Sequence, residues 1–409
     1  MNIFVSIAGL AFLILIHEAG HFFVARAVRM RPRKFYVFFP PVLFRKMHNG
    51  IEYGLGAIPL GGYVKIPGMH RPAGRDLSAH YSAALDDAPS LRPHVETAAA
   101  VLDHEELDEP RALTALADLR SASDGAHLTE HAQSRVDKGL TDVEDALSPE
   151  AYWRAPVWKR VAVIAAGPIT NLLFAVAMLA VVFALGVPRD ANRVVDEVVS
   201  GTPAETIGLL SGDEVIAVDG TGVETFDEVS TLIRASAGDP ISLTVLRDGS
   251  EVVLGPRAAE LSDGRYRLGF IPSVQYETYG PAPAVGEAFK ETWSVTKAIG
   301  NSLANIVTPE GREDIATPIG IVQGSSQILE QGFRDFLAIL ALISLSLALL
   351  NMLPLLPLDG GHILFSLLER VRRRAIPREA YERASTIGIA LVLILFVIGL
   401  TNDIGRLGG

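Results

Sequence analysis

The 409-residue chain contains no cysteine. Neither a disulfide framework nor a thiolate metal site is open to it, so any bound zinc must take nitrogen and oxygen ligands. Nothing in it resembles a basic nucleic-acid-binding stripe, and no nucleic-acid partner is expected. The net charge of −11 does not describe the whole chain either, because residues 71–150 hold 17 Asp and Glu against 7 Lys and Arg. The rest is close to neutral. The first segment lacks a basic n-region and a small-residue cleavage site, which argues against a cleaved signal peptide and for a retained segment.

What the sequence has in quantity is apolar length. Mean hydropathy is +0.30 and 49 % of residues are hydrophobic. These concentrate in four uncharged runs long enough to cross a bilayer: Met1–Ile16 continuing to Ala25, Val161–Pro188, Phe336–Leu358 and Ala384–Asn402. Arg26, Arg29, Arg31, Arg33 and Lys34 follow the first run. Arg370, Arg372, Arg373, Arg374 and Arg378 separate the third from the fourth. By the positive-inside rule both loops are cytoplasmic, which puts the two termini and the segment between runs two and three on the other side.

Inside the first run stands His17-Glu18-Ala19-Gly20-His21. Histidines four residues apart share one face of a helix and can hold zinc, while the intervening glutamate serves as general base without being a ligand. Ionisable residues within an apolar span are costly unless they have a function. The third run ends in Asn351-Met352-Leu353-Pro354-Leu355-Leu356-Pro357-Leu358-Asp359-Gly360-Gly361-His362. Its Asp359 needs a partner, and a metal shared with His17 and His21 supplies one. Two histidines and one carboxylate leave a fourth tetrahedral position open, the pattern of a catalytic zinc.

Between these lie other signals. Ile51–Pro67 is apolar but broken by glycine and proline, and reads as short strands and turns at the membrane. It is either a strand edge that captures unfolded substrate by β-augmentation or an ordinary hairpin packed on the enzyme. Residues 71–150, rich in alanine, show no firm apolar face and read as an acidic, partly flexible cytoplasmic insertion. The second run carries Ala166-Gly167-Pro168-Ile169-Thr170-Asn171, which suits a helix start or kink near the site, with Asn171 able to hydrogen-bond a neighbouring helix. Residues 193–274 change to a soluble pattern: a strand over Val194–Val199, a turn at Gly201–Ala204, a strand within Gly212–Gly220, a helix over Asp227–Ala235 and a hairpin over Ile241–Leu254. Val285–Ile306, with Trp293, reads as an amphipathic helix on the membrane surface or a plain linker helix.

The series Ser200-Gly201-Thr202-Pro203-Ala204-Glu205, Gly212-Asp213-Glu214-Val215-Ile216 and Val218-Asp219-Gly220 resembles a PDZ domain. The resemblance implies that Arg267-Leu268-Gly269-Phe270 is its carboxylate-binding loop, in the circularly permuted form of bacterial proteases. With His-Glu-Ala-Gly-His, Gly61-Gly62-Tyr63-Val64-Lys65, Ala-Gly-Pro-Ile-Thr-Asn and the Leu-Asp-Gly-Gly-His ending, the chain resembles the site-2 protease family of intramembrane zinc metalloproteases. The bacterial branch that cleaves anti-sigma factors is the nearest, and the resemblance covers most of the chain outside the acidic insertion.

That resemblance implies zinc on His17, His21 and Asp359, acid–base work by Glu18, and substrate contacts from Asn351, Gly54, Gly56, Gly61, Gly62 and Tyr63, although a lone transmembrane Asn also ties helices together. It implies a single-span membrane substrate akin to an anti-sigma factor, trimmed first by a site-1 protease. This sequence departs from the family in spacing its prolines Pro-x-x-Pro, in having one PDZ domain, and in the size of its insertion. A catalytically silent PDZ adaptor is the alternative, and the presence of Glu18 and Asp359 speaks against it. A zinc transporter lacks the further intramembrane ionisable groups that a relay needs.

The expected fold class is a polytopic α-helical membrane protein with four transmembrane helices, a membrane-associated β-hairpin and one extracytoplasmic α+β PDZ domain. Its expected segments are 1–70 (first span and β loop), 71–150 (insertion), 151–190 (second span), 193–275 (PDZ), 280–333 (juxtamembrane connector), 334–370 (third span) and 380–409 (fourth span and tail). The expected location is the bacterial inner membrane, with the site towards the cytoplasm.

Overall fold

The computed structural model describes residues 2–104, 106–262, 265–305, 308, 317–374, 376 and 378–408. Met1, Ile306 and Gly409, each at the end of a predicted segment, lie outside the described residues. The chain divides into two units, Met1–Leu179 with Phe289–Gly409, and Ala180–Ala288.

Helix α1 (Asn2–Ala27) has 26 residues, which at about 1.5 Å per residue reach about 39 Å, more than a hydrocarbon core of roughly 30 Å. It closes with Met30 N–H donating to Ala25 C=O at 2.8 Å and Arg29 N–H to Arg26 C=O at 3.1 Å. Arg29 takes the left-handed conformation, φ 68°, at the position glycine usually fills.

Strands β1 (Lys34–His48) and β2 (Ile51–Lys65) follow, joined through Asn49-Gly50, both at positive φ as a two-residue hairpin turn requires. The strands fold back on themselves. Lys34–Val37 pairs with Glu52–Leu55 on one side and Gly62–Lys65 on the other, while Val42–His48 pairs with Ile51–Gly56. Gly62–Lys65 is therefore an outer edge, and Gly54 and Leu55 lie inside the sheet.

The acidic insertion is a helical bundle: α2 (Gly74–Asp87), α3 (Arg92–Asp103), α4 (Glu109–Asp124) and α5 (Glu130–Leu147). The expectation that this segment has no firm apolar face is corrected here. Leu77 and Tyr81, Val95 and Leu102, Leu116 and Leu119, and Val136, Leu140 and Val143 recur at helical spacing and form one buried core. Asp108 and Thr129 cap α4 and α5 through Arg111 N–H and Ala132 N–H. The bundle is tied to the β1–β2 sheet by Lys65–Asp142 and, just before β1, by Arg33–Asp145 at 2.6 Å.

Helix α6 (Val157–Leu185) begins before Gly167-Pro168 and runs through them, so the pair is not a helix start. The second unit then builds strand β3 (Val187–Val198), a short helix α7 (Pro203–Thr206), β4 (Glu214–Val218), β5 (Thr221–Gly222), helix α8 (Phe226–Ala235), the hairpin β6 (Pro240–Arg247) and β7 (Ser250–Ala258), the short pair β8 (Glu260–Ser262) and β9 (Arg265–Arg267), and β10 (Phe270–Glu277). Sheet order is β10-β3-β4-β6-β7, with β5 on β4, and the pairings are antiparallel. Ile241, Leu243 and Val245 alternate inward on β6 and meet Val229 and Ile233 of α8 in the core. The predicted strands, helix and hairpin fall on β3, β4, α8 and β6–β7.

Helix α9 (Pro281–Ala304) presents Val285, Phe289 and Trp293, four residues apart, to the surface. Helices α10 (Pro318–Gln331), α11 (Phe333–Asn351), α12 (Asp359–Arg372) and α13 (Arg378–Gly408) complete the chain. Asp403 of α13 receives Thr317 N–H at 2.9 Å and Gly320 N–H at 3.2 Å at the start of α10. Among the described residues, four helices are long and apolar enough to cross a membrane: α1, α6, α11 and α13. The third run is shorter as a helix than as a sequence, because α11 stops at Asn351 before Pro354 and Pro357.

Candidate active site

Helix α1 carries His17 and His21 one turn apart, both 8 % exposed, with Glu18 equally buried beside them. The first turn of α12 brings Asp359 to the same point, where a helix N-terminus favours a carboxylate. His17 Nε2 and His21 Nε2 are 3.2 Å apart, and Asp359 Oδ2 lies 3.2 Å from the first and 3.4 Å from the second. A tetrahedral ion with bonds of about 2.0–2.1 Å separates neighbouring donors by about 3.3 Å. The three atoms thus stand at the mutual spacing of a zinc coordination sphere.

The protonation pattern fits as well. His21 Nδ1–H donates to the Val163 carbonyl of α6 at 2.8 Å, which leaves the Nε2 lone pair facing inward. A lone pair and a carboxylate oxygen at this distance repel unless a cation lies between them. Nitrogen and oxygen donors of this kind suit zinc, and a cysteine-free chain offers no others.

These residues open on a cavity of about 860 Å³, whose wall includes Leu10, Ile164, Ile339, Leu347 and Val392 from the four apolar helices and Ile321 from α10. Asn351, at the end of α11, lines it and donates Nδ2–H to the Leu347 carbonyl of its own helix at 3.1 Å. Gly61, Gly62 and Tyr63 line it from β2. Gly62 passes directly over the site, since a Cβ there would lie 2.8 Å from Glu18 Cγ. Gly54 and Gly56 do not line the cavity. A Cβ at Gly54 would enter the Tyr36 ring, and one at Gly56 would meet the Phe39 carbonyl, so these two glycines let the sheet pack. Tyr36 in turn stacks on Tyr63, with ring centroids 5.0 Å apart, and donates its hydroxyl to Glu52 at 2.5 Å. That hydrogen bond, helped by Lys34, holds the Glu52 carboxyl below its usual range despite burial.

In the second unit, Leu268 and Gly269 are held by their carbonyls, which accept from Ala204 N–H at 2.8 Å and Val199 N–H at 2.9 Å. Phe270 opens β10 and meets Phe226 of α8 edge to face. Arg267 ends β9.

The chain matches the profile of peptidase family M50 over residues 5–395. It belongs to that family. A protein of Agrobacterium fabrum that carries a zinc metalloprotease name is 32 % identical over 415 residues, covering 98 % of this chain and 94 % of the relative. The zinc metalloprotease RasP of Geobacillus kaustophilus is 27 % identical, with 96 % and 95 % covered. The regulator of sigma-W protease RasP of Bacillus subtilis is 26 % identical, with 97 % and 96 % covered. This M50 peptidase is a zinc metalloendopeptidase of the intramembrane, site-2 type.

Two further residues at this cluster carry no assignment in the sequence reading. Gly167 of α6 packs on both histidines, for a Cβ there would sit 2.3 Å from His21 Nε2 and 2.9 Å from His17 Cε1. Only the crossing of α1 and α6 reveals that contact. His362 lines the cavity one turn after Asp359, and the Asp-Gly-Gly-His spacing was the signal available for it. Asn171 behaves otherwise than expected. It is fully buried and its amide finds no partner among the described residues, while its backbone carbonyl accepts from Ser344 of α11 at 2.9 Å.

Proposed function

We propose that this metalloprotease cuts peptide bonds inside membrane-spanning segments of other proteins, as the intramembrane step of regulated proteolysis. One observation carries the reading: the His17, His21 and Asp359 cluster opens on a cavity walled by the four apolar helices, a place that a membrane-embedded substrate reaches and a soluble one does not.

His17, His21 and Asp359 would hold zinc, which would supply Lewis-acid chemistry for peptide hydrolysis. Glu18, buried on the cavity wall beside that cluster, takes the proton of the attacking water and returns it to the leaving nitrogen. Val163 holds His21 in its ligating tautomer. Asn351 turns from Leu347 to hydrogen-bond substrate. The outer strand Gly62–Lys65 offers backbone partners to an unwound segment, which a helical substrate needs before its carbonyls are exposed. Gly61 belongs with that edge.

The second unit acts as a PDZ domain, with Arg267, Leu268, Gly269 and Phe270 as its carboxylate loop, and admits substrates already trimmed by another protease. Its strand order, with β10 at the sheet edge near α8, supports this. The basic loops support an inner-membrane orientation with the helical bundle in the cytoplasm and the second unit outside. The sigma-W protease name of the Bacillus subtilis relative supports an anti-sigma factor as substrate.

The test is metal content and cleavage of a single-span substrate by the purified full chain, beside Glu18→Gln. Both proteins are expected to hold one zinc, with cleavage within the span lowered at least about a hundredfold in the variant. Equal cleavage by Glu18→Gln removes Glu18 from its role, and cleavage confined to soluble substrates removes the intramembrane reading.

A further inference from the structure

The end of α1 and the start of α6 enclose a second cavity, of about 870 Å³. Arg26, Arg29, Arg31, Arg33, Arg154 and Lys159 line it, and among the described residues Glu150 is the acidic group on its wall. Three of the cations are matched: Arg31 faces Glu150 at 3.3 Å, Arg33 meets Asp145 at 2.6 Å and Arg154 meets Glu109 at 3.0 Å. Arg26, Arg29 and Lys159 have no carboxylate partner among the described residues. Arg26 lies over the Phe22 ring, and Lys159 donates to the Val28 carbonyl at 3.2 Å. Arg29 reaches the cavity from a left-handed backbone position that favours glycine. The 29-residue α6 begins at this wall, where Pro156 and Lys159 line the cavity, so the positive end of its dipole adds to the cationic field.

Such a concavity suits a phosphate, which takes several guanidinium and ammonium donors at once. Its surroundings decide which phosphate. Two apolar helices end at the cavity, and beside it Phe23, in the last turns of α1, is 64 % exposed and Trp158, in the first turn of α6, is 63 % exposed. An exposed indole flanked by Lys159 at the end of a span is the mark of the headgroup layer. We propose that this cavity binds the phosphate headgroup of an anionic membrane phospholipid, whose acyl chains lie along α1 and α6. The lipid then braces the same two helices that carry His17, His21 and Gly167. The assignment rests on the cavity and not on the catalytic reading.

Native mass spectrometry of the full chain, titrated with phosphatidylglycerol or phosphatidylcholine in detergent, tests it. The wild type is expected to retain phosphatidylglycerol preferentially. Arg26→Gln/Arg29→Gln/Lys159→Gln is expected to weaken that binding about a hundredfold. The charge-keeping Arg26→Lys/Arg29→Lys/Lys159→Arg is expected to bind within about tenfold of wild type, which separates loss of the site from loss of the fold. Arg370→Gln/Arg372→Gln/Arg373→Gln, in the other basic loop, is expected to bind as wild type does. Undiminished binding by the first variant overturns the site, as does an equal loss in the last. Inorganic phosphate binding as tightly as the lipid overturns the lipid assignment.

Discussion

At the proposed zinc site a single backbone carbonyl orients His21. Val163 accepts the Nδ1 proton, so the Nε2 lone pair has one direction left, towards His17 and Asp359. Gly167 works on the same ring from the same helix, by having no side chain. Gly167→Ala places a methyl group 2.3 Å from His21 Nε2, so the ring must turn off its axis. Zinc affinity is expected to fall about tenfold to a hundredfold, with helicity kept, as read by metal competition and circular dichroism. The His-Glu-x-x-His half of the site was legible because helical periodicity alone brings residues four apart together. Asp359 was legible because a carboxylate ending an apolar run needs a partner. Gly167 was not, since no local rule says which face of α6 meets α1.

Elements are held to one another by buried charge and by apolar faces. Arg160 of α6 and Glu369 of α12 form an ion pair at 2.5 Å with both side chains largely buried. It fixes the helix that carries Asp359 against the helix that orients His21. Glu369→Ala leaves a buried guanidinium unpaired and is expected to cost about 3 kcal/mol, measured by thermal unfolding in detergent. In the acidic insertion, Leu140→Ala opens a cavity in the α2–α5 core at an expected cost of about 3 kcal/mol. Limited proteolysis of wild type is expected to leave Gly74–Leu147 uncut. That apolar face escaped the sequence because its leucines and valines are diluted by alanine and by charges on the outer faces. In the second unit, burial pushes the Asp213 carboxyl up, but the Arg247 fork at 2.6 and 2.7 Å and the Leu210 N–H outweigh it, and the group ends below its usual range. A depressed carboxylate stabilises above its unfolded pKa of about 3.9, and that contribution is lost as pH falls through the folded value. Asp213→Asn is therefore expected to lower the unfolding temperature at neutral pH and to have a smaller effect in strong acid.

The molecule as a whole is defined by four apolar helices and two basic loops, and its lack of cysteine makes the proposed orientation directly measurable. Ser90→Cys in the bundle and Ser250→Cys in the second unit both introduce exposed thiols. In right-side-out spheroplasts a membrane-impermeant maleimide is expected to label Ser250→Cys alone, and labelling of Ser90→Cys without lysis reverses the orientation. The presence of four apolar runs, the candidacy of His17, His21 and Asp359 as metal donors and the strand-and-helix pattern of the second unit were legible in the sequence alone, because hydropathy, period and turn residues act over a few neighbouring positions. The meeting of His17 and His21 of α1 with Asp359 of α12 against α6, the edge position of Gly62 against the interior position of Gly54, the bundle core and the basic cavity at the helix ends were decided only by tertiary structure. Each depends on which faces of distant segments meet, and that is set by packing among all of them at once.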